Sequence, residues 1–300
     1  MSAASDQLLP GQEPPAGERL CLVGAMQTHP GPNGVLNEDV AAYVLPLPAE
    51  PFARSGALAL VADGMGGHAA GEVASRLAAE VIRAIYYDRA GTVPEVLAAC
   101  LEAANRTIYQ RSQSDPGCAG MGTTCTVVAV RDDMIYLGHV GDSRAYILRD
   151  GRLRQISQDH SVVAELVRQG TITSSEAMQS PYRNLVFRAL GTHPAVEPLI
   201  WNEGLPLCPG DVIVLCSDGL TDGLEDAVIA AAVQRLAPLQ ACETLIAAAL
   251  QKGVNDNISV GVFAVRERST LRPGPGDPTR RVAVAHQAGV TQGIPQEVPK

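Results

Sequence analysis

Four aspartates stand where a rigidly held carboxylate could do chemistry. They are Asp63 in Ala62-Asp63-Gly64-Met-Gly-Gly67, Asp142 in Gly141-Asp142-Ser143-Arg144, Asp218 in Ser217-Asp218-Gly219, and Asp256 in Asn255-Asp256-Asn257. Apolar runs of buried-strand type precede or flank three of them, and small or amide residues beside them let a ligand approach the backbone closely. Carboxylates gathered in one domain repel one another unless cations lie between them. All-oxygen ligand sets suit hard cations such as Mg2+ and Mn2+, so the pattern points to a metal-dependent hydrolase. Asp63 can bridge two cations through its two oxygens, with the Gly64 carbonyl open to one of them. The glycine-rich stretch after Asp63 lacks the Gly-Lys-Ser/Thr of a phosphate loop, which argues against a nucleotide cradle. Taken singly, each motif also reads as a polar turn or a helix cap.

The elements that must position these residues are legible as periodicities. Strands are expected at 20–25, 40–45, 57–62, 123–131, 134–140, 143–148, 153–155, 212–216 and 257–265, with turns at Asp132-Asp133 and Asp150-Gly151. Helical spacing is clearest over 70–87, where Val73, Leu77, Val81 and Ile85 fall four apart beside Ala74, Ala78 and Ile82. Pro94 opens a second helix with Val96, Leu97, Cys100, Leu101, Ala104 and Ile108 on its buried side. Further helices are expected at 161–169, 225–236 and 240–252. Strands and helices are grouped rather than alternating. That predicts an α+β fold, a central β-sandwich of two mostly antiparallel sheets flanked by helices.

With 300 residues, 46% hydrophobic and 18% charged, the chain can bury a sizeable core. Residues 1–18 read as a flexible N-terminal arm, 19–266 as one domain, and the Pro/Gly-rich 267–300 as a disordered C-terminal tail. The net charge of −9 and the lack of a basic stripe argue against nucleic acid. No apolar run is long enough for a membrane span, and no signal peptide is visible. Seven scattered cysteines without C-x-x-C read as buried thiols of a reducing compartment, so a cytoplasmic location is expected.

The motifs taken together and in order resemble the metal-dependent serine/threonine protein phosphatases of type 2C, in their bacterial form. The resemblance rests on Asn37-Glu-Asp, Ala62-Asp-Gly-Met-Gly-Gly, Gly122-Thr-Thr, Val140-Gly-Asp-Ser-Arg, Gln158-Asp-His-Ser, Arg188-Ala-Leu-Gly, Ser217-Asp-Gly-Leu-Thr-Asp and Asp256-Asn-Ile-Ser. It implies that Asp63 and the Gly64 carbonyl, with Asp218 and Asp256, hold two Mn2+ or Mg2+ ions. Glu38 and Asp39 would hold metal-bound waters, Asn257 and Ser217 would support the ligands, and Asp142 with Asp218 would hold a weaker third ion. Residues 159–192 resemble the family's flap. The implied reaction is attack on phosphoserine or phosphothreonine by a hydroxide shared between two cations about 3.5–4 Å apart. The implied partners are phosphorylated proteins, including a Ser/Thr kinase, and a monomer is expected.

Two departures stand out. Family members commonly carry a phosphate-gripping arginine five residues before the second acid of the Glu-Asp pair; here that position is Gly34. Weaker phosphate binding is expected, with His29, Arg183 and Arg188 as alternative cations. Met65 stands where some members place a histidine acid, and His68 is no substitute for it; His139 and His160 are read as structural or exposed. The arginine gap leaves open an alternative, a catalytically weak pseudo-phosphatase that binds phosphoproteins.

Overall fold

The computed structural model describes residues 20–34, 36–46, 53–66, 70–267 and 283–285. In chain order the strands are β1 (Leu20–His29), β2 (Asp39–Val44) and β3 (Ala57–Met65), followed by helices α1 (Ala70–Asp88) and α2 (Val93–Ser114). Next come β4 (Gly122–Thr123), β5 (Cys125–Arg131), β6 (Met134–Val140), β7 (Arg144–Arg149), β8 (Arg152–Gln155), α3 (Val162–Arg168) and α4 (Ser174–Gln179). The rest is β9 (Leu199–Ile200), β10 (Leu205–Pro206), β11 (Val212–Cys216), α5 (Asp218–Thr221), α6 (Asp226–Arg235), α7 (Pro238–Gln251), β12 (Ile258–Glu267) and β13 (Ala283–Ala285).

One sheet has the order β1-β12-β11-β7-β8; the other runs β10-β6-β5-β3-β2-β13, with β4 on β3 and β9 on β6. Every pairing is antiparallel. The hairpins β5–β6 and β7–β8 turn on Asp132-Asp133 and Asp150-Gly151, where all four residues have positive φ. That left-handed pair matches the twist of the flanking strands.

The sheets stack face to face and helices cover both outer faces, giving a four-layer sandwich of helices, two sheets and helices. Ala59, Val61, Val128, Ile147, Ile213, Leu215 and Phe263 fill the space between the sheets. Leu58, Leu60, Val127 and Ala129 face α1 and α2. Val212, Val214 and Cys216 face α6 and α7. The central strands are thus buried on both faces, which is why they read as continuous apolar runs. In α1 the most buried line is Ala74, Ala78 and Ile82, while Val73, Leu77, Val81 and Ile85 are only partly covered. The small side chains bring the helix axis close to the sheet, and the larger ones fill the flanks.

The α+β sandwich matches the sequence expectation. The short elements β9, β10, α4 and α5 have too few residues for a periodicity and were not anticipated. Within the segment expected to be a disordered tail, Glu267 ends β12 and Ala283–Ala285 form β13 on β2; the rest of that tail, the N-terminal arm and Gly67–Ala69, which include His68, lie outside the described residues.

Phe263 is fully buried between the sheets, edge-on to Tyr43 with ring centroids 5.5 Å apart. Gly24, across β1–β12, is bare because a Cβ there would collide with the Phe263 ring. Phe263→Ala is expected to cost about 3–5 kcal/mol in urea denaturation. A loss under about 1 kcal/mol would show that the sheets close over the gap.

Candidate active site

The carboxylates meet at one end of the sandwich, where β2 and β12 begin and β6 and β11 end. β2 and β3 pair with Asp39 directly opposite Asp63. The latter lies inside its strand rather than beyond it, because β3 continues to Met65 and pairs there with β4. From the other sheet, β11 ends at Cys216, and Asp218 is the first residue of α5. Asp256 precedes β12 and is exposed.

Backbone and hydroxyl groups fix each of these residues. The Asp63 N–H donates to Thr124 Oγ1 (3.0 Å), and its carbonyl accepts from Thr123 Oγ1 and the Thr124 N–H (both 2.8 Å). Thr124 in turn shares a 2.7 Å hydrogen bond with Ser143 Oγ. Ser217 Oγ donates to Asp39 Oδ2 at 2.7 Å and accepts the Ser259 N–H at 3.0 Å, so one hydroxyl joins the two sheets. Gly64 is bare because a Cβ there would meet the Gly71 and Glu38 backbones. Its N–H donates to the Glu38 carbonyl at 3.1 Å.

Glu38 has a different local duty from the others. Its Oε1 accepts the Gly71 N–H at 3.1 Å, anchoring the start of α1 in the manner of a carboxylate at a helix N-terminus. Asn257 holds the strand of loop that carries Glu38. Its Oδ1 accepts the Glu38 N–H (2.7 Å), and its Nδ2 donates to the carbonyls of Pro30 (3.1 Å) and Leu36 (3.0 Å).

Electrostatics mark the cluster as strained. Burial, then the charges of Asp39 and Asp218, push Asp63 well above the usual carboxylate range, and Asp63 hydrogen-bonds to Asp218. Burial, reinforced by Asp256, raises Asp218 to about 6. Burial raises Asp39 to about 7 despite hydrogen bonds from Ser217 and Ser259. Asp142, 7% exposed, is driven well up by burial and by the charges of Asp218 and Asp159. Glu38 is also raised, by burial first, with the N–H of Gly71 opposing.

Asp142 is not the partner of Arg144. That guanidinium bonds Asp159 instead (2.9 and 2.7 Å), and Gln155 holds the other oxygen of Asp159 at 2.7 Å. The Asp142 turn is set by Gly141, at φ +108°, and by two bonds to His160: Gly141 N–H to Nδ1 (3.1 Å) and His160 N–H to the Gly141 carbonyl (2.7 Å). His139 and His160 are both buried, with ring centroids 4.9 Å apart. Burial lowers them to about 4 and about 3, so both are neutral scaffold.

The cations considered for phosphate recognition separate clearly. His29 Nδ1 accepts the Gly31 N–H, and Arg188 is committed to the Glu197 carbonyl (2.9 Å). Arg183 lies 3.5 Å from Asp222, whose charge acts on Asp218. Gly34 has φ +61°, so an arginine there would be strained although the space is open. Two grooves of about 910 and 930 Å3 contain none of these carboxylates. Chemistry rather than cavity size locates the site.

The residues fit hard divalent cations. Asp39 Oδ1 and Asp218 Oδ1 are buried without a hydrogen-bond partner, a costly state for carboxylate oxygens. Among the described residues no three acidic, His or Cys side chains converge into a ready-made cage. Asp63 and Asp218 instead share a hydrogen bond, as adjacent acids do when no positive charge separates them. Roles for Thr124, Ser143 and Ser259 were missed in the sequence, although a hydroxyl inside an apolar strand is a visible signal.

An antiparallel sandwich with acids at one end of both sheets defines the class, and the comparisons agree. The profile of the family described as protein phosphatase 2C matches residues 50–255, and the chain belongs to that family. It is 41% identical over 209 residues to the serine/threonine protein phosphatase PstP of Mycobacterium tuberculosis, covering 69% of this chain and 40% of that protein. The chain thus spans about two fifths of the length of that relative. Protein phosphatase PhpP of Streptococcus pneumoniae is 36% identical over 213 residues, covering 69% of this chain and 85% of PhpP. The solved catalytic domain of PstP in complex with two manganese ions superposes with a TM-score of 0.72 at 37% identity, covering 83% of this chain and all of that one.

The raised carboxylates predict an inverted pH dependence of the metal-free protein. Each holds a proton in the folded chain at a pH where the unfolded chain has released it. Their stabilisation is complete below about pH 4 and is lost as pH rises through about 6 for Asp218 and about 7 for Asp39. In EDTA, Tm is expected to fall between about pH 5 and about pH 8, and excess Mn2+ should abolish the fall. A flat Tm in EDTA would contradict the strained cluster.

Proposed function

We propose that the chain is a metal-dependent phosphatase of phosphoserine and phosphothreonine in proteins, opposing a Ser/Thr kinase. The observation that carries this reading is the half-buried pair Asp63–Asp218 with buried Asp39 beside it and two orphaned carboxylate oxygens. Asp63, the Gly64 carbonyl, Asp218 and Asp256 would hold two ions, Mn2+ or Mg2+. Asp142 with Asp218 would hold a weaker third. Bound divalent ions supply Lewis acidity, offset charge on phosphoryl oxygens and lower the pKa of water toward neutrality.

The chain's own residues do the rest. Ser217 and Ser259 hold Asp39 in place, and Thr123 and Thr124 fix the backbone of Asp63. Asn257 ties the Glu38 loop to the turn bearing Asp256. Arg183, 3.5 Å from Asp222, is the candidate to contact the substrate phosphate in place of the missing arginine. Around it Tyr182, Leu185 and Phe187 are exposed at 60%, 52% and 47%. An apolar surface beside the site suits a polypeptide better than a small metabolite. No described helix is long and apolar enough to cross a membrane. A cytoplasmic monomer remains part of the proposal.

The glycine at position 34, in left-handed backbone, favours the second reading, a phosphoprotein-binding pseudo-phosphatase. Hydrolysis of p-nitrophenyl phosphate separates the two. Activity is expected with Mn2+ or Mg2+, to vanish in EDTA, and to drop at least about a hundredfold in Asp218→Asn with the fold intact by circular dichroism. Turnover in excess EDTA would overturn the metal mechanism, and a wild type inert with every metal would support the pseudo-phosphatase.

Asp142→Ala tests the third site. Calorimetric titration with Mn2+ should lose one weak site and keep two tight ones, while turnover falls roughly tenfold or more. Loss of the tight sites would reassign Asp142 to the main pair.

A further inference from the structure

Among the buried residues of α2, only Asn105 and Ser112 carry a polar nitrogen or oxygen in the side chain. Ser112 bonds within the helix, to the Tyr109 carbonyl. Asn105 reaches out of it. Its Oδ1 accepts the Gly191 N–H at 2.8 Å, and its Nδ2 donates to the His193 carbonyl at 3.1 Å. Asparagine is a poorer helix former than alanine or leucine, and a buried amide is costly unless bonded. An apolar side chain would serve α2 better, so the use of this amide lies in the turn that it holds.

That turn, residues 189–193, is wedged between α2 and the end of β3. On one side Gly191, at φ +85°, lies so close to Ile108 of α2 that a Cβ would collide with it. On the other, Leu190 and Thr123 of β4 exchange two backbone hydrogen bonds, of 3.0 and 2.8 Å. A Cβ on Gly122, the other residue of β4, would meet Thr192 and the Leu190 carbonyl. β4 pairs in turn with Gly64 and Met65, and the Thr123 hydroxyl and Thr124 N–H both donate to the Asp63 carbonyl. The backbone of Asp63 and Gly64 thus rests on β4, β4 on the turn, and the turn on one amide of α2. We infer that Asn105 is a positioning residue for Asp63 and Gly64. It fixes the end of β3 without touching the site and thereby sets the affinity for divalent ions. Asp63 would serve both tightly held ions, so the two weaken together when its backing is lost. The positioning stands on these hydrogen bonds; the effect on metal affinity rests on the phosphatase reading above.

The test compares Asn105→Ala with Val96→Ala in the full chain. Alanine favours the helix, so α2 persists and the loss falls on the turn. Val96 is buried on the same helix, about 13 Å nearer its start, and its truncation destabilises α2 away from the turn. Calorimetric titration with Mn2+ should show both tight sites weakened at least about tenfold in Asn105→Ala, and within about twofold of wild type in Val96→Ala. In EDTA, hydrogen exchange of the Thr124 amide relative to that of Val262, in the other sheet, should be at least about tenfold faster in Asn105→Ala and unchanged in Val96→Ala. Equal weakening of Mn2+ binding in the two variants, or an equal exchange ratio, would reduce Asn105 to a packing role and overturn the inference. Thr123→Val tests the route. Combined with Asn105→Ala, it should weaken Mn2+ binding by less than the product of the single effects, by about threefold or more; independent effects would overturn the path through Thr123. Asn105→Ser carries the same two readouts if the alanine variant does not fold. If the wild type takes up no Mn2+, the metal reading fails, while the exchange ratio still decides the positioning.

Discussion

Repulsion between carboxylates in a desolvated space is the constraint that organises this molecule. Asp39, Asp63, Asp142 and Asp218 are brought to one end of two sheets, where burial and mutual charge both disfavour ionisation. A fold without a use for them would replace these groups with apolar ones at a gain in stability. Holding them requires rigid surroundings, and the surroundings are rigid. The cross-strand pair Asp39–Asp63 ties β2 to β3, and a network of Thr and Ser hydroxyls fixes the backbone around it. The four layers supply that stiffness: helices on both outer faces keep the strands dry and in register.

The site is joined to the flap at each of the flap's two ends. His160, at the entrance to the flap, makes two hydrogen bonds to Gly141, next to Asp142, while stacked on neutral His139. At the flap's far end, Leu190 pairs with Thr123, whose hydroxyl reaches the Asp63 carbonyl, and Asn105 of α2 fixes Gly191 and His193. The flap is therefore pinned at both ends to residues that position carboxylates, with its exposed Tyr182–Phe187 stretch between the pins. Movement in that stretch need not disturb the cluster.

Much of this was legible in the sequence, for physical reasons that differ by element. Long strands and helices showed because burial imposes a period or a continuous apolar run on them. The turn at Asp150-Gly151 showed because left-handed backbone selects such residues. The carboxylates showed because a charge next to a buried strand needs a reason. What was not legible depends on distant partners. That Arg144 serves Asp159 rather than Asp142, or that Glu38 anchors α1 through Gly71, follows from packing between elements far apart in the chain. Arg183 stood out among three cations only once Asp222 was placed beside it.

Asn257 shows how hydrogen-bond polarity, more than size, sets what a position tolerates. Its amide oxygen faces an N–H and its amide nitrogen faces two carbonyls. Aspartate has the same shape, yet at neutral pH it would oppose two carbonyl oxygens with a third acceptor and add a negative charge to a cluster already short of compensation. Leucine would fill the volume and leave three backbone groups without partners. Pro30, Leu36 and Glu38 are therefore clasped to the turn at Asp256 by a single side chain whose pairing of acceptor and donor no residue of the same shape reproduces.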